Sequence, residues 1–308
     1  MAAVTTGLET KVPQAKLVGK GYNWGRLVRY ALLIMFCLFV LMPAYVMVIT
    51  SFKQTTNPAD AWNPVDKWTF THWLTAFTGT IARPGVAAPM LRTLAMVVPA
   101  ALISSFLGSM NGFVLSRWRF PKANIVFALL LFGMFIPYQA VVIPLYGMVI
   151  DIRNSVMGGF GQTIQTILTL IMLHVIYGIP ITTLIFRNYY QSVPTELIEA
   201  AKVDGAGMLR TYGQIVLPIS MPSFVVVLIW QFTSAWNDFL FALYFSPSPD
   251  SAPVTVTLNT LASPGGGTLS DYGVSMAAAI MASLPTLVVY ILLGKYFIGG
   301  LMSGSVKG

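Results

Sequence analysis

The sequence predicts an all-α integral membrane protein with six membrane-spanning helices and both termini in the cytoplasm. The chain has 308 residues, of which 56% are hydrophobic and only 9% are charged, whereas a soluble globular domain carries about 25% charged residues. Six long stretches are almost free of charge, and a helix of about 20 apolar residues crosses a bilayer. The basic residues are concentrated in alternate connecting segments, and this bias indicates the orientation because Lys and Arg resist translocation.

The apolar stretches follow one another along the chain, and each predicts one span. The first has no charge and no small-residue cleavage site after it, so we expect a retained anchor and not a signal peptide. The longest stretches are expected to include some loop. With the N-terminus inside, the inner segments hold most of the 18 Lys and Arg residues. The stretches are residues 31–52, 93–116, 123–150, 154–186, 211–249 and 272–294.

The predicted domain organisation is simple. Residues 1–25 are expected to form a flexible cytoplasmic arm, and residues 26–308 one transmembrane domain. The first outer loop, about 53–91, contains His72 and three tryptophans, which are typical of the aromatic belt at a membrane interface; docking of an outer partner is the alternative. The last outer loop, about 245–271, is rich in Pro, Gly and Ser, and we expect a flexible connection there. The three tryptophans are Trp62, Trp68 and Trp73.

Small residues and prolines mark the second and third spans. Ser104, Gly108 and Gly112 recur at intervals of four, a spacing that lets two helix backbones approach closely. Pro137 and Pro144 each remove a backbone donor and are expected to kink or break the third span. Carbonyls freed in this way are tolerated where protein buries them or water reaches them, so the prolines indicate a path.

A short polar segment, residues 192–218, interrupts the apolar sequence between spans four and five. We expect Ser192 to cap a first helix that ends at Gly205, because glycine allows a left-handed turn. A short helix is marginal in water, so it needs a partner surface, and helix-in-groove docking fits; a helix lying on lipid is the alternative. The first helix has apolar residues at helical spacing, and the second has them on one face: Val193, Leu197, Ala200 and Ala201, then Met208, Tyr212, Ile215 and Val216.

This segment resembles the EAA loop of ABC importer permeases. The family pattern is E-A-A-x-x-x-G, nine residues, and I-x-L-P, and the spacing here matches it throughout. The resemblance implies that the segment is the coupling helix, seated in a cleft of an ATPase subunit. The matching or adjoining residues are Glu199, Ala200, Ala201, Asp204, Gly205, Ile215, Leu217 and Pro218.

Further stretches resemble the carbohydrate-uptake branch of these permeases, in particular the smaller membrane subunit of the maltose importer. They are PAYVMVITSFK (43–53), IPYQAVVIPLY (136–146), WNDFL (236–240) and GGLMSGSVKG (299–308). The resemblance implies a multi-pass protein of the bacterial cytoplasmic membrane. Its partners would be a second permease, two ATPase subunits and an extracytoplasmic sugar-binding protein. The tail, with Gly304 and Lys307, would contact the ATPase subunits.

The chain is expected to be a non-catalytic subunit without a cofactor or metal of its own. It contains no G-x-x-x-x-G-K-[ST] motif, so ATP and Mg²⁺ would be bound by the partner ATPase subunits. The chain would form half of the translocation path for a sugar and would move when the ATPase subunits close. Such a rigid-body change between two states is a common form of switching.

Several residues are candidates for the path. Asp238 is the sole acid within a predicted span, and intramembrane acids are usually functional. Asn237 and Asp238 would bond sugar hydroxyls, and Trp236 would stack on a ring. In the alternative, Asn237 and Asp238 stabilise a bent helix or face the sister permease. Weaker candidates are Tyr138 and Gln139, beside a proline, while a packed, hydrogen-bonded role is favoured for the isolated His174.

Other functions fit the sequence less well. An ion-driven carrier would need a relay of carboxylates or histidines along the path, and only Asp238 and His174 are available. A membrane enzyme would need a catalytic constellation, and we find none in the sequence. An importer of another solute, such as glycerol phosphate, stays open, although a phosphate ester would require cations mid-span. Nucleic acid is not an expected partner, because the cations are scattered among loops.

Overall fold

The computed structural model describes residues 24–54, 58–80, 84–118, 120–262 and 271–302, and the regular elements in these ranges are helices. Short 3₁₀ turns occur at Pro58–Trp62, Gly133–Phe135 and Pro249–Ser251. The predicted N-terminal arm, except for its last two residues, and the tail residues Gly304 and Lys307 lie outside the described residues. The helices are α1 (Trp24–Phe52), α2 (Thr71–Thr78), α3 (Ala87–Arg117), α4 (Ala123–Phe132), α5 (Tyr138–Val156), α6 (Gln162–Ser192), α7 (Thr195–Val203), α8 (Met208–Thr211), α9 (Leu217–Ile219), α10 (Met221–Trp236), α11 (Leu240–Phe245), α12 (Val254–Ala262) and α13 (Tyr272–Met302).

Membrane-spanning helices account for most of this architecture. Within the described residues α1, α3, α6 and the Tyr272–Lys295 part of α13 are long and apolar enough to cross a bilayer. Two further pairs are broken: Ala123–Phe135 meets Tyr138–Val156 at 97°, and Met208–Ile219 meets Met221–Trp236 at 78°. Counting each pair as one span gives six. The prediction of an all-helical membrane protein is confirmed, with four clear spans and up to six.

The chain divides into two compact units, Met1–Tyr45 and Val46–Gly308. In the first unit, the described part of α1 exposes nearly all of its large apolar side chains, as a helix in contact with lipid does. In the second unit, α3 and α6 pack along each other, and α10 and α13 pack beside them. The core of the second unit is therefore built from helix pairs.

Small residues allow the close contact of α3 with α6. A Cβ atom added to Gly108 would lie 2.1 Å from Thr182 Oγ1, and one added to Gly112 would lie 2.8 Å from the backbone nitrogen of Arg187. The Thr182 hydroxyl also donates a hydrogen bond of 3.1 Å to the carbonyl of Ser104. The packing predicted from the small-residue spacing is confirmed.

The prolines of the third span act differently from each other. Pro137 lies at the break, immediately before α5, while Pro144 lies inside α5 without ending it. Pro137 is the N-cap residue of α5, where the amide that a proline lacks would have no partner within the helix. The break therefore lies at Ile136 and Pro137.

The segments expected to form outer loops contain more helix than the sequence predicted. We expected loops over about 53–91 and 245–271, but α2 and α12 form there. α12 buries Val254, Thr257 and Leu261, and this apolar face explains why it forms in a Pro- and Ser-rich segment. The glycines at 265–267 lie outside the described residues.

The aromatic residues of the segment at about 53–91 divide into two groups. Trp73 stacks on Phe52 with ring centroids 5.2 Å apart, while Trp62 and Trp68 are mostly exposed. His72 is buried, and its Nε2 lies 3.5 Å from Asp271 Oδ1. Placement of the exposed tryptophans in a membrane interface stays a prediction.

Candidate functional site

The polar segment between α6 and α10 forms the predicted helix–turn–helix, with a different start. Ser192 does not cap α7, as the sequence suggested. It is the last residue of α6, and its hydroxyl donates to the carbonyl of Tyr189 at 2.7 Å. α7 begins at Thr195, after Pro194. The N-cap prediction was wrong because α6 continues to Ser192, six residues beyond the predicted end of span four at 186.

The turn after α7 has the predicted geometry. Gly205 adopts φ +76°, a left-handed conformation that glycine adopts without strain. Its N–H donates to the carbonyl of Lys202 at 3.0 Å, and the N–H of Ala206 donates to the carbonyl of Ala201 at 2.9 Å. These two bonds form a Schellman motif, so the chain reverses at a defined angle. Asp204 is exposed immediately before this turn.

The second helix of the hairpin is continuous from α8 to α9 through a π-helical turn, Tyr212–Val216. Tyr212 and Val216 are buried, and Met208 and Ile215 are half-buried, as the apolar face predicted. Leu217 and Pro218 do not end the helix, which continues to Ile219 and then bends by 78° into α10.

The first helix of the hairpin exposes only part of its expected apolar face. Ala201 and its neighbour Ile198 are buried within this chain, so Ala201 is not available to a partner in this arrangement. Glu199, Ala200 and Leu197 are exposed. Two more apolar side chains extend this surface, Val203, which is 87% exposed, and Leu209. We call the exposed residues Leu197, Glu199, Ala200, Val203 and Leu209 the hairpin surface.

A cavity of about 850 Å³ is lined by residues of the α4–α5 break and of α5, α6, α10 and α11. Of the predicted path residues, Tyr138, Asn237 and Asp238 line it. Gln139 and Trp236 are not among the lining residues. The sequence did not single out Tyr177, Trp230, Gln231 and Ser234, which also line it. The cavity thus combines aromatic rings with uncharged polar groups, and Asp238 is its one acidic lining residue among those described.

Three aromatic side chains form a wall of this cavity. The ring centroids of Tyr138 and Tyr177 lie 5.2 Å and 5.1 Å from that of Phe241. His174 is 5.9 Å from the same ring, and it is buried, so its predicted packed position is confirmed. Its Nε2 has no hydrogen-bond partner and lies 3.7 Å from Asp238 Oδ2, so the predicted hydrogen bonding is not seen at that nitrogen.

Asp238 lies in the break between α10 and α11. Its Oδ2 accepts a hydrogen bond of 3.2 Å from the N–H of Ala242, and its carbonyl accepts one of 2.7 Å from Thr255. Asn237 donates through Nδ2 to the carbonyl of Thr233 at 2.9 Å. Both residues therefore stabilise the broken helix, which was the alternative to a sugar contact, and they also line the cavity.

Trp236 has a packing role and does not present its ring to the cavity. Trp236 is only 2% exposed, and its Nε1 donates to the carbonyl of Ala282 at 2.9 Å. The indole stacks on Phe232 at 5.6 Å. In this arrangement the indole has no free face for a sugar ring, so Trp236 is replaced as a stacking candidate by Tyr138, Tyr177 and Trp230.

The fold and these two features define a class of protein. A polytopic helical membrane protein with a polar–aromatic cavity, and with a hairpin that continues into the cavity wall, is a component of a membrane transport system. Residues 104–298 match the model of the family described as the inner membrane component of binding-protein-dependent transport systems. The chain belongs to this family, so its role is in transport and not in catalysis.

Individual relatives agree with this membership. The chain is 44% identical over 181 residues to a probable ABC transporter permease of Pyrococcus horikoshii, a match that covers 59% of this chain and 62% of that relative, less than two thirds of its length. It is 37% identical over 222 residues to a xylose/arabinose import permease of Haloferax volcanii, covering 68% of this chain and 71% of that relative.

Solved structures share the fold. The crystal structure of a bacterial ABC transporter that imports the acidic polysaccharide alginate matches with a TM-score of 0.65 and 19% identity, covering 89% of this chain and 96% of that chain. The crystal structure of a bacterial alginate ABC transporter in complex with an alginate pentasaccharide-bound periplasmic protein matches with a TM-score of 0.62 and 17% identity, covering 88% of this chain and 95% of that chain.

Proposed function

We propose that the chain is a permease subunit of an ATP-driven sugar importer, forms half of the translocation path and couples to ATPase subunits through its hairpin. The observation that carries this proposal is the direct covalent connection of the two features. The second helix of the hairpin passes through one bend into α10, and α10 supplies Trp230, Gln231 and Ser234 to the cavity. A displacement of the hairpin therefore acts on the cavity wall.

A sugar is the substrate that the cavity chemistry favours. Pockets for small molecules combine apolar and aromatic walls with a few polar groups that fix orientation. Tyr138 and Tyr177 provide rings, and Gln231, Ser234 and Asn237 provide uncharged hydrogen-bonding groups. No Lys or Arg is among the described lining residues, which disfavours glycerol phosphate. The sugar-specific names of several relatives point the same way.

The hairpin surface supports an ATPase subunit as the partner. Leu197 and Val203 on α7 and Leu209 at the start of the second hairpin helix are apolar and exposed, and an amphipathic helix of this kind docks into a groove. We propose that the partners are two ATPase subunits that bind ATP and Mg²⁺, a second permease and an extracytoplasmic binding protein. We also propose that the hairpin and both termini lie in the cytoplasm. The complex with a periplasmic protein seen for the alginate transporter supports the binding-protein partner. The C-terminal residues Gly304 and Lys307 are proposed as a further ATPase contact.

The proposal is tested by sugar uptake into vesicles that contain this chain and its candidate partners. The native assembly is expected to take up a neutral sugar only with ATP. Leu209→Glu should abolish uptake and ATPase association, because it places a charge on the apolar hairpin surface. Leu209→Met, which keeps that surface apolar, is the matched control and should transport normally. Uptake without ATPase subunits, or normal uptake by Leu209→Glu, would overturn the coupling assignment.

A further inference from the structure

Three buried hydroxyl groups form a hydrogen-bonded chain beneath the hairpin. The Ser109 hydroxyl lies 2.6 Å from the Tyr190 hydroxyl and 2.9 Å from the Tyr212 hydroxyl. Each of the three residues is at most 5% exposed. We call Tyr212, Ser109 and Tyr190 the hydroxyl chain.

Ser109 bonds both tyrosines of this chain. A serine hydroxyl has one proton and two acceptor lone pairs, so it can pair with both phenol groups at once. Loss of the Ser109 hydroxyl leaves two buried tyrosine hydroxyls without this partner, and an unpaired buried polar group costs more than the bond contributes.

The hydroxyl chain joins three elements at one point. Tyr212 opens the π-helical turn of the hairpin, Ser109 lies on α3, and Tyr190 lies near the end of α6. A hydrogen-bonded path therefore runs from the hairpin through α3 to α6. Ser220, the residue at the 78° bend between α9 and α10, follows Tyr212 on the same helix.

The surrounding contacts fix the same parts. Four residues after Ser109 on α3, Phe113 packs against the rings of Tyr190 and Tyr212. Four residues further on, the Arg117 guanidinium donates to the carbonyls of Tyr190 and Val193, at the C-terminal end of α6, where a cation also suits the helix dipole. One stripe of α3 thus holds both the end of α6 and the hairpin.

The bend itself also contacts α6. Pro218 and Pro222 lack amide protons and cannot continue the backbone ladder across it. The Tyr189 hydroxyl donates to the carbonyl of Ile219 at 2.6 Å, immediately before Ser220. This side chain of α6 therefore holds the bend, next to Tyr190 of the hydroxyl chain.

We propose that the hydroxyl chain, together with Tyr189 at the bend, positions the hairpin and the bend against α3 and α6, so that hairpin displacement is transmitted to α10 and not absorbed locally. This inference rests on the proposed coupling function. It assigns a role to residues that are members of neither the hairpin surface nor the cavity lining. Loss of the Tyr212 hydroxyl would let the hairpin move while α10 stays in place, and ATP would be hydrolysed without transport.

The test compares sugar imported per ATP hydrolysed in vesicles that hold the whole importer. Tyr212→Phe removes one hydroxyl and keeps the ring that packs on Phe113. One hydrogen bond has a net value of about 0.5–1.5 kcal/mol, so we expect the imported sugar per ATP to fall about two- to tenfold. Ser109→Ala should lower it at least as much, and the double variant should add little further, because both changes break the same bond.

Tyr290→Phe is the matched control, because Tyr290 is exposed on α13, away from the hydroxyl chain. It should keep the native ratio. An unchanged ratio in Tyr212→Phe would overturn the inference. So would an equal loss of uptake and hydrolysis with a lower melting temperature, since that result indicates a role in stability alone.

A second measurement uses the purified full chain in nanodiscs and does not depend on transport. Spin labels at Leu209→Cys in the hairpin and Leu102→Cys on α3, both at exposed positions, are introduced in a Cys37→Ser background. The label–label distance distribution should be broader in Tyr212→Phe than in the native chain. If the native importer takes up no sugar, the proposed function fails, and this measurement alone decides the positioning role. Identical distributions would refute it.

Discussion

The contact of α3 with α6 at Gly108 allows a quantitative prediction about stability. In Gly108→Ala the new methyl group would lie 2.1 Å from Thr182 Oγ1 and 2.5 Å from Thr182 Cβ, well inside contact distance. The Thr182 side chain is fully buried and cannot swing out to solvent. The two helices must therefore separate, or Thr182 must give up its hydrogen bonds to the carbonyls of Ser104 and Gly178.

The expected magnitude follows from these two costs. Overpacking a well-packed core by one methyl group costs about 1–3 kcal/mol, and the loss of a buried hydrogen bond adds about 0.5–1.5 kcal/mol. We expect Gly108→Ala to lower the free energy of unfolding by about 2–4 kcal/mol. Thr182→Gly in the same chain removes the two closest atoms and should restore part of this loss.

The assay is reversible unfolding of the purified chain in mixed micelles, followed by circular dichroism. Gly147→Ala is the control, because an added Cβ there meets nothing within 4 Å. Alanine is also the better helix former, by about 1 kcal/mol. This variant should be at least as stable as the native chain. A Gly108→Ala chain within 0.5 kcal/mol of native, about the usual size of a neutral surface substitution, would refute the close approach of α3 to α6.

Three further predictions use the same unfolding assay. Trp236→Phe removes the indole donor to the carbonyl of Ala282 and should cost about 1 kcal/mol, while the sugar concentration for half-maximal uptake stays unchanged. A large change in that concentration would indicate that Trp236 contacts the sugar. Asp238→Asn keeps an acceptor for the N–H of Ala242 and should be as stable as native, whereas Asp238→Ala should lose about 1 kcal/mol. Equal stability of the two variants would argue against a stabilising role of the hydrogen bond between Asp238 and Ala242. Gly205→Val should cost about 1–2 kcal/mol at its positive φ, whereas Gly205→Asn should be tolerated; similar losses in both would point to a cause other than backbone conformation.

Features that depend on neighbouring residues could be predicted from the sequence. The turn at Gly205 follows from a local rule, because a left-handed residue ends a helix and glycine adopts it without strain. The close approach of α3 to another helix was likewise visible in the spacing of Gly108 and Gly112, since a four-residue interval places small residues on one helix face, but the spacing did not identify α6 as the partner.

Features that depend on distant residues could not be predicted. Trp236 and Asn237 are adjacent in sequence, but which of them meets the cavity depends on where α10 ends and on Ala282 of α13. The pairing of Ser109 with Tyr212 joins residues 103 positions apart. For α12 a helical pattern was present in the sequence, because Val254 and Leu261 lie two helical turns apart, but the surrounding prolines and serines favoured a loop.

The break before α5 has a consequence for how the chain enters the membrane during synthesis. The helical part before the break, Ala123–Phe135, is only about 20 Å long at 1.5 Å per residue, against a hydrocarbon thickness of about 30 Å. It cannot cross as a separate unit. It contacts a helix that comes later in the chain, because the Arg187 guanidinium of α6 lies 4.1 Å from the ring centroid of Phe127. This contact therefore forms only after α6 has been synthesised.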